Sequence, residues 1–90
     1  FAKTVMPNSK ELQKFTDAMN EKRERKMKEH PERPVDPWNK YPPTQIQVRL
    51  AEEYEEWRDA VSNKSQNEEA DELLDIANFC FFRWAQIKKL

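Results

Sequence analysis

Apolar residues recur at spacings of three and four along three stretches of the chain, which predicts three helices. The first begins at Ser9 as N-cap and runs through Leu12, Phe15, Met19 and Arg23 to about Lys28, becoming mostly charged beyond Met19. The second opens at Thr44, where Thr44 and Gln47 have the spacing of a capping box, and continues to about Ser62. Its apolar stripe is Ile46, Leu50, Tyr54, Trp57 and Val61. After a polar break from Asn63 to Asn67, Ser65 and Glu68 offer another capping box for a third helix lasting to the chain end. Because the break is short, helices two and three should form an antiparallel hairpin.

Five of the six prolines fall between His30 and Pro43, so residues 30–43 are expected to be an ordered connector or lid. Residues 1–8 read as an N-terminal extension, and 1–90 as one domain with no internal repeat. Glycine is absent and 37% of residues are charged, a combination that suits long helices and disfavours tight hairpins. The expected fold is therefore all-α, an antiparallel bundle of three major helices. Ninety residues enclose only a small core. Helix three is apolar all round from Ile76 to Ile87, with Phe79, Cys80, Phe81, Phe82 and Trp84 pointing in every direction. It should be covered on more than one side, so a homodimer packed through helix three is expected, testable with Phe82→Glu.

Sixteen basic against 17 acidic residues leave a net charge of -1, which gives no basic field for nucleic acid or an anionic membrane. One cysteine, Cys80, cannot form an intramolecular disulfide; with no secretory signal at the start and no membrane-length apolar run, a cytoplasmic location is expected. A glycine-free chain has no Walker A loop, and no Cys-x-x-Cys, zinc-binding histidine or Ser-His-Asp set is present. A di-iron bundle would need Glu-x-x-His motifs, and His30, the single histidine, lies far from the acidic segments.

The candidate chemistry is acidic. On the second helix Glu53 falls inside the apolar stripe and Glu56 borders it, whereas Glu52 and Glu55 turn toward solvent. A carboxylate facing a core needs a cation, a buried arginine or a shifted pKa. On the third helix Glu72 and Asp75, three apart, share a face that continues into Ile76, Phe79 and Phe82. Antiparallel packing would set Glu53 and Glu56 opposite Glu72 and Asp75. Oxygen-only ligation selects a hard cation, Mg²⁺ first and Mn²⁺ as substitute. Taken alone, either acidic run reads as a solvated helix face.

With Arg49-Leu-Ala-Glu-Glu-Tyr-Glu-Glu-Trp57 followed by Asp71-Glu-Leu-Leu-Asp-Ile-Ala-Asn78, the sequence resembles the MazG-like all-α nucleoside triphosphate pyrophosphatases over roughly 44–90. The resemblance implies that Glu53, Glu56, Glu72 and Asp75 hold Mg²⁺ bridging a triphosphate. It also implies that water attacks the α-phosphorus to release nucleoside monophosphate and pyrophosphate, an activity suited to nucleotide-pool cleansing. Members of the family commonly form dimers and often carry basic residues after the Glu-x-x-Asp helix. Here only Arg83, Lys88 and Lys89 follow, so Arg58 or Lys64 is expected to substitute at the phosphates.

Glu52 is the candidate for orienting the attacking water. Trp38 and Tyr41 are candidates for stacking on a base, or equally for capping the bundle core. His30 reads as a helix-terminus residue. Two alternatives stand beside this reading: a noncatalytic helical protein-interaction module, and an enzyme like phosphoribosyl-ATP pyrophosphatase. The latter family leads one to expect a histidine shortly after Asp75, and this sequence has none. Glu53→Gln and Asp75→Asn are both expected to abolish hydrolysis and spare the fold.

Overall fold

The computed structural model describes residues 9–32 and 41–89. Within them lie three helices and no strand: α1 at Ser9–Glu29, α2 at Pro43–Asn63 and α3 at Gln66–Lys88. The expected extension 1–8, Trp38 and most of the proline connector fall outside the described residues. None of the described helices is long and apolar enough to cross a membrane.

Helix α2 is capped two residues earlier than expected and for a different reason. Pro42 is its N-cap and makes no side-chain cap, while Pro43 occupies the first turn. Proline there loses no intrahelical bond and presets φ, so the Thr44 capping box is not needed and does not form. The Ser65–Glu68 box does form, with the Glu68 amide donating to Ser65 Oγ at 3.2 Å and the Ser65 amide donating to Glu68 Oε1 at 3.4 Å.

Helices α2 and α3 form the antiparallel hairpin. Near the turn, Trp57 Nε1 donates to Glu69 Oε2 at 3.1 Å; at the far end, Gln86 Nε2 donates to the Tyr41 carbonyl at 2.7 Å. Helix α1 packs on α3. The apolar core is thin: Ile46, Ala60, Phe82 and Ala85 are its buried hydrophobic residues, and as many polar side chains are buried with them, namely Lys22, Glu53, Asp75 and Asn78. Such a polar interior costs stability and calls for pairing or ligand chemistry.

The observed faces shift the expected ones. On α2, Tyr54 and Val61 are exposed, while Ile46, Glu53 and Ala60 are buried. Glu53 thus lies on the centre line of the inward face, and larger apolar side chains flank it. On α1, Leu12 and Phe15 are exposed and Lys22 takes the buried position, because its ammonium finds carboxylates on α3. On α3, Phe82 belongs to the core of its own chain, so Phe82→Glu would disturb folding and does not isolate dimerisation. Leu73, Cys80, Trp84 and Ile87 form the exposed stripe instead.

Candidate metal centre

Glu53 and Glu56 lie one turn apart on α2, and Glu72 enters from α3. One carboxylate oxygen from each fits within a 4.8 Å cluster. Rigid helices from both sides of the hairpin therefore hold the three acids together. Glu53 is only 3% exposed. Its Oε2 receives Arg49 Nη2 at 3.1 Å, while Oε1 is buried without a hydrogen-bond partner, as is Glu72 Oε2. Buried carboxylate oxygens with no donor are what a bare hard cation would satisfy, and the absence of nitrogen and sulfur ligands suits Mg²⁺.

The electrostatics reflect this crowding. Burial, then the charges of Asp75 and Glu56, push Glu53 up from 4.5 to about 7, against the opposing pull of Arg49. Glu72 is likewise raised by burial and by Glu56 and Asp75, with Lys22 and Lys64 opposing.

Asp75 is near enough to act on both acids, yet it stands outside the three-carboxylate group and is bound by lysines of α1. Lys22 Nζ reaches Asp75 Oδ2 at 2.8 Å and Lys26 Nζ reaches Asp75 Oδ1 at 3.0 Å. Burial alone would raise the Asp75 carboxyl; hydrogen bonds from Lys22 and Lys26 reverse that and hold it below its ordinary range. Lys22 also donates to the Asp71 carbonyl at 2.7 Å and pairs with Asp71 Oδ2 at 2.8 Å, so each of its three ammonium protons has an acceptor. Desolvation opposes the charge on Lys22, but those partners raise its pKa overall. This network corrects one sequence expectation: Asp75→Asn would remove one of the two carboxylates that neutralise the buried Lys22 ammonium, along with the carboxylate that holds Lys26, and so would cost stability.

One turn from the carboxylates lies a pocket of about 390 Å³, opening between α1, the start of α2 and the second half of α3. Lys22, Arg23, Lys26 and Arg49 supply its charge, and Tyr41, Phe79 and Phe82 much of its apolar wall. Arg49 lies over the Phe79 ring at 5.2 Å.

The proposed phosphate contacts are distributed differently. Arg58 pairs with Glu55 at 3.2 Å, Lys64 lies 4.0 Å from Asp59, and Arg83 donates to Gln86 at 3.2 Å; none of these three lines the pocket. Tyr41 does line it. Glu52 is exposed and ion-paired with Arg49. His30 ends α1, with Nδ1 3.3 Å from Glu32. The cations that sequence reasoning missed are on α1, where high charge density read as a solvated face. Their signal was Lys22 and Lys26 at i and i+4, one line of a helix that had to pack somewhere.

Residues 12–86 match the family described as phosphoribosyl-ATP pyrophosphohydrolase. The chain belongs to that family. The phosphoribosyl-ATP pyrophosphohydrolase family falls within the MazG-like all-α superfamily, so the sequence resemblance holds at the broader level, and the lack of a histidine after Asp75 does not exclude the chain from the narrower one. A protein of Archaeoglobus fulgidus described as uncharacterized is 39% identical over 51 residues, 57% of this chain. The matched stretch spans 55% of that relative's length. No solved structure matches the chain.

Proposed function

We propose that this chain is a Mg²⁺-dependent pyrophosphohydrolase that cleaves the α–β phosphoanhydride of a nucleoside triphosphate, giving nucleoside monophosphate and pyrophosphate. The observation that carries the reading is the Glu53–Glu56–Glu72 cluster with two of its buried oxygens unpartnered. Family membership supports the pyrophosphohydrolase class.

Bound Mg²⁺ would neutralise phosphate charge and polarise the phosphoryl oxygens. Within the chain, Glu53, Glu56 and Glu72 are the residues that would hold it. Arg49 fixes the Glu53 carboxylate by its Oε2 contact and leaves Oε1 buried without a hydrogen-bond partner. Glu52, on the other arm of the same guanidinium, is the residue we assign to orienting water against the α-phosphorus. Tyr41, Phe79 and Phe82 offer the base an apolar wall.

A second reading keeps the bond and changes the substrate. Phosphoribosyl-ATP carries the same triphosphate, and the family match favours it. The residues that follow Asp75 on the pocket side, Asn78, Phe79 and Phe82, include no histidine; this supports the unmodified triphosphate. Incubating the protein with ribo- and deoxyribonucleoside triphosphates and phosphoribosyl-ATP, with Mg²⁺ or chelator, tests both. Metal-dependent release of pyrophosphate from one class identifies it, and no release from either removes the enzymatic reading in favour of a noncatalytic module.

We also propose that the exposed stripe of Leu73, Cys80, Trp84 and Ile87 packs against a second copy. Light scattering on the wild type and Trp84→Glu tests it. A monomeric wild type contradicts the dimer.

A further inference from the structure

Lys26 faces two ways. Its ammonium holds Asp75 Oδ1 at 3.0 Å, and its side chain, 43% exposed, lines the basic pocket beside Arg49. Lys22 differs: its side chain is 5% exposed and all three donors are committed to Asp71 and Asp75. Of the two lysines on Asp75, Lys22 ties α1 to α3, and Lys26 has a route into the pocket.

Asp75 stands close enough to Glu53 and Glu72 for its charge to disfavour their ionised forms, and α1 supplies the compensating cations. A polyphosphate entering the pocket would present Lys26 with an acceptor of higher charge than a single carboxylate. Moving to it would release Asp75 Oδ1 beside the carboxylate cluster.

Resting on the proposed function, we infer that Lys26 is a phosphate-binding residue that exchanges Asp75 for the substrate's phosphate chain, and that this exchange makes Asp75 available as a further oxygen ligand for the cation. Lys26 serves as an internal stand-in for ligand charge. Substrate and cation then bind with positive coupling, because each removes a reason for the lysine to stay on the carboxylate.

The exchange predicts opposite effects from one substitution. In Lys26→Met, Asp75 Oδ1 loses its competing ammonium, so the protein alone should bind Mn²⁺ about three-fold more tightly, while α,β-methylene-ATP in the presence of Mg²⁺ should bind about ten-fold more weakly. Electron paramagnetic resonance of free Mn²⁺ and titration calorimetry measure the two affinities, and circular dichroism checks that the variant is folded. Lys28→Met, an exposed charge loss on the same helix, is expected to move neither affinity by as much as two-fold, about 0.4 kcal/mol.

A structural role for Lys26 would weaken both affinities together, and a bystander role would change neither; each outcome overturns the exchange. If Lys26→Met does not fold, Lys26→Gln takes its place with the same opposed expectations. Failure of the wild type to bind Mn²⁺ defeats the metal-centre reading itself, which distinguishes it from failure of the exchange.

Discussion

Glu53→Gln should stabilise the metal-free protein above neutral pH. Glu53 is 3% exposed, its Oε1 has no partner, and the folded state holds its carboxyl at about 7 against an ordinary 4.5. The folded state therefore binds the proton more tightly than the unfolded chain. Stability from this group is complete below about 4.5 and is lost as pH rises through about 7. The gap corresponds to roughly 3 kcal/mol once the group is fully ionised, an upper figure because neighbouring acids share the burden. Glutamine cannot ionise, so it avoids that loss while its amide can donate to Glu56 or Glu72. For a domain of this size a gain of about 2 kcal/mol would raise Tm by roughly 10 °C. Thermal unfolding in chelator at pH 5 and pH 8 is the assay. This window avoids Asp75, whose lowered carboxyl contributes stability that disappears only in acid, and Lys22, whose raised ammonium contribution disappears only in strong base. A variant no more stable than wild type at pH 8, or an advantage equally large at pH 5, would refute the electrostatic reasoning.

Mg²⁺ at 100 times its dissociation constant should stabilise the wild type by about 2.7 kcal/mol and raise its melting temperature, and Glu53→Gln should lose most of that shift; melting in a magnesium series reads it. Glu72→Gln should lower kcat at least about 100-fold with helicity retained, measured by pyrophosphate release and circular dichroism. Glu52→Gln should lower kcat by about 100-fold while Mn²⁺ affinity is unchanged, since the residue is assigned to water and not to the cation. Asp75→Asn should destabilise the chain by about 1–2 kcal/mol, visible in urea denaturation, because Lys22 keeps its buried charge with Asp71 as its one remaining carboxylate and Lys26 loses its own. An Asp75→Asn variant as stable as wild type would contradict the ion-pair account.

The hairpin was legible because local signals were complete: the Ser65–Glu68 box, a short polar break and two long periodic stretches fix it without reference to the rest of the molecule. Glu53, Glu56 and Glu72 were legible because helical phase and antiparallel packing suffice to bring them together. The cap of α2 was misplaced by two residues because proline at the first turn does the work assigned to Thr44. The α2 stripe was drawn around its largest apolar residues, but the hairpin turns a narrower line inward, with Ala60 allowing close approach and Glu53 at its centre. The basic half of the site was the hardest to read. Lys22 and Lys26 look like surface charge until α3 supplies Asp71 and Asp75, contacts that span 49 and 53 residues of sequence. Periodicity within one helix carries no information about such a partner.

The most direct test of the central claim is phosphorus NMR of a nucleoside triphosphate turned over by the wild-type protein with Mg²⁺ in ¹⁸O-labelled water. The account predicts pyrophosphate and nucleoside monophosphate, the label on the monophosphate's phosphorus, and loss of both signals with chelator or in Glu72→Gln. Orthophosphate with nucleoside diphosphate, label in the pyrophosphate, or turnover indifferent to chelator would contradict it.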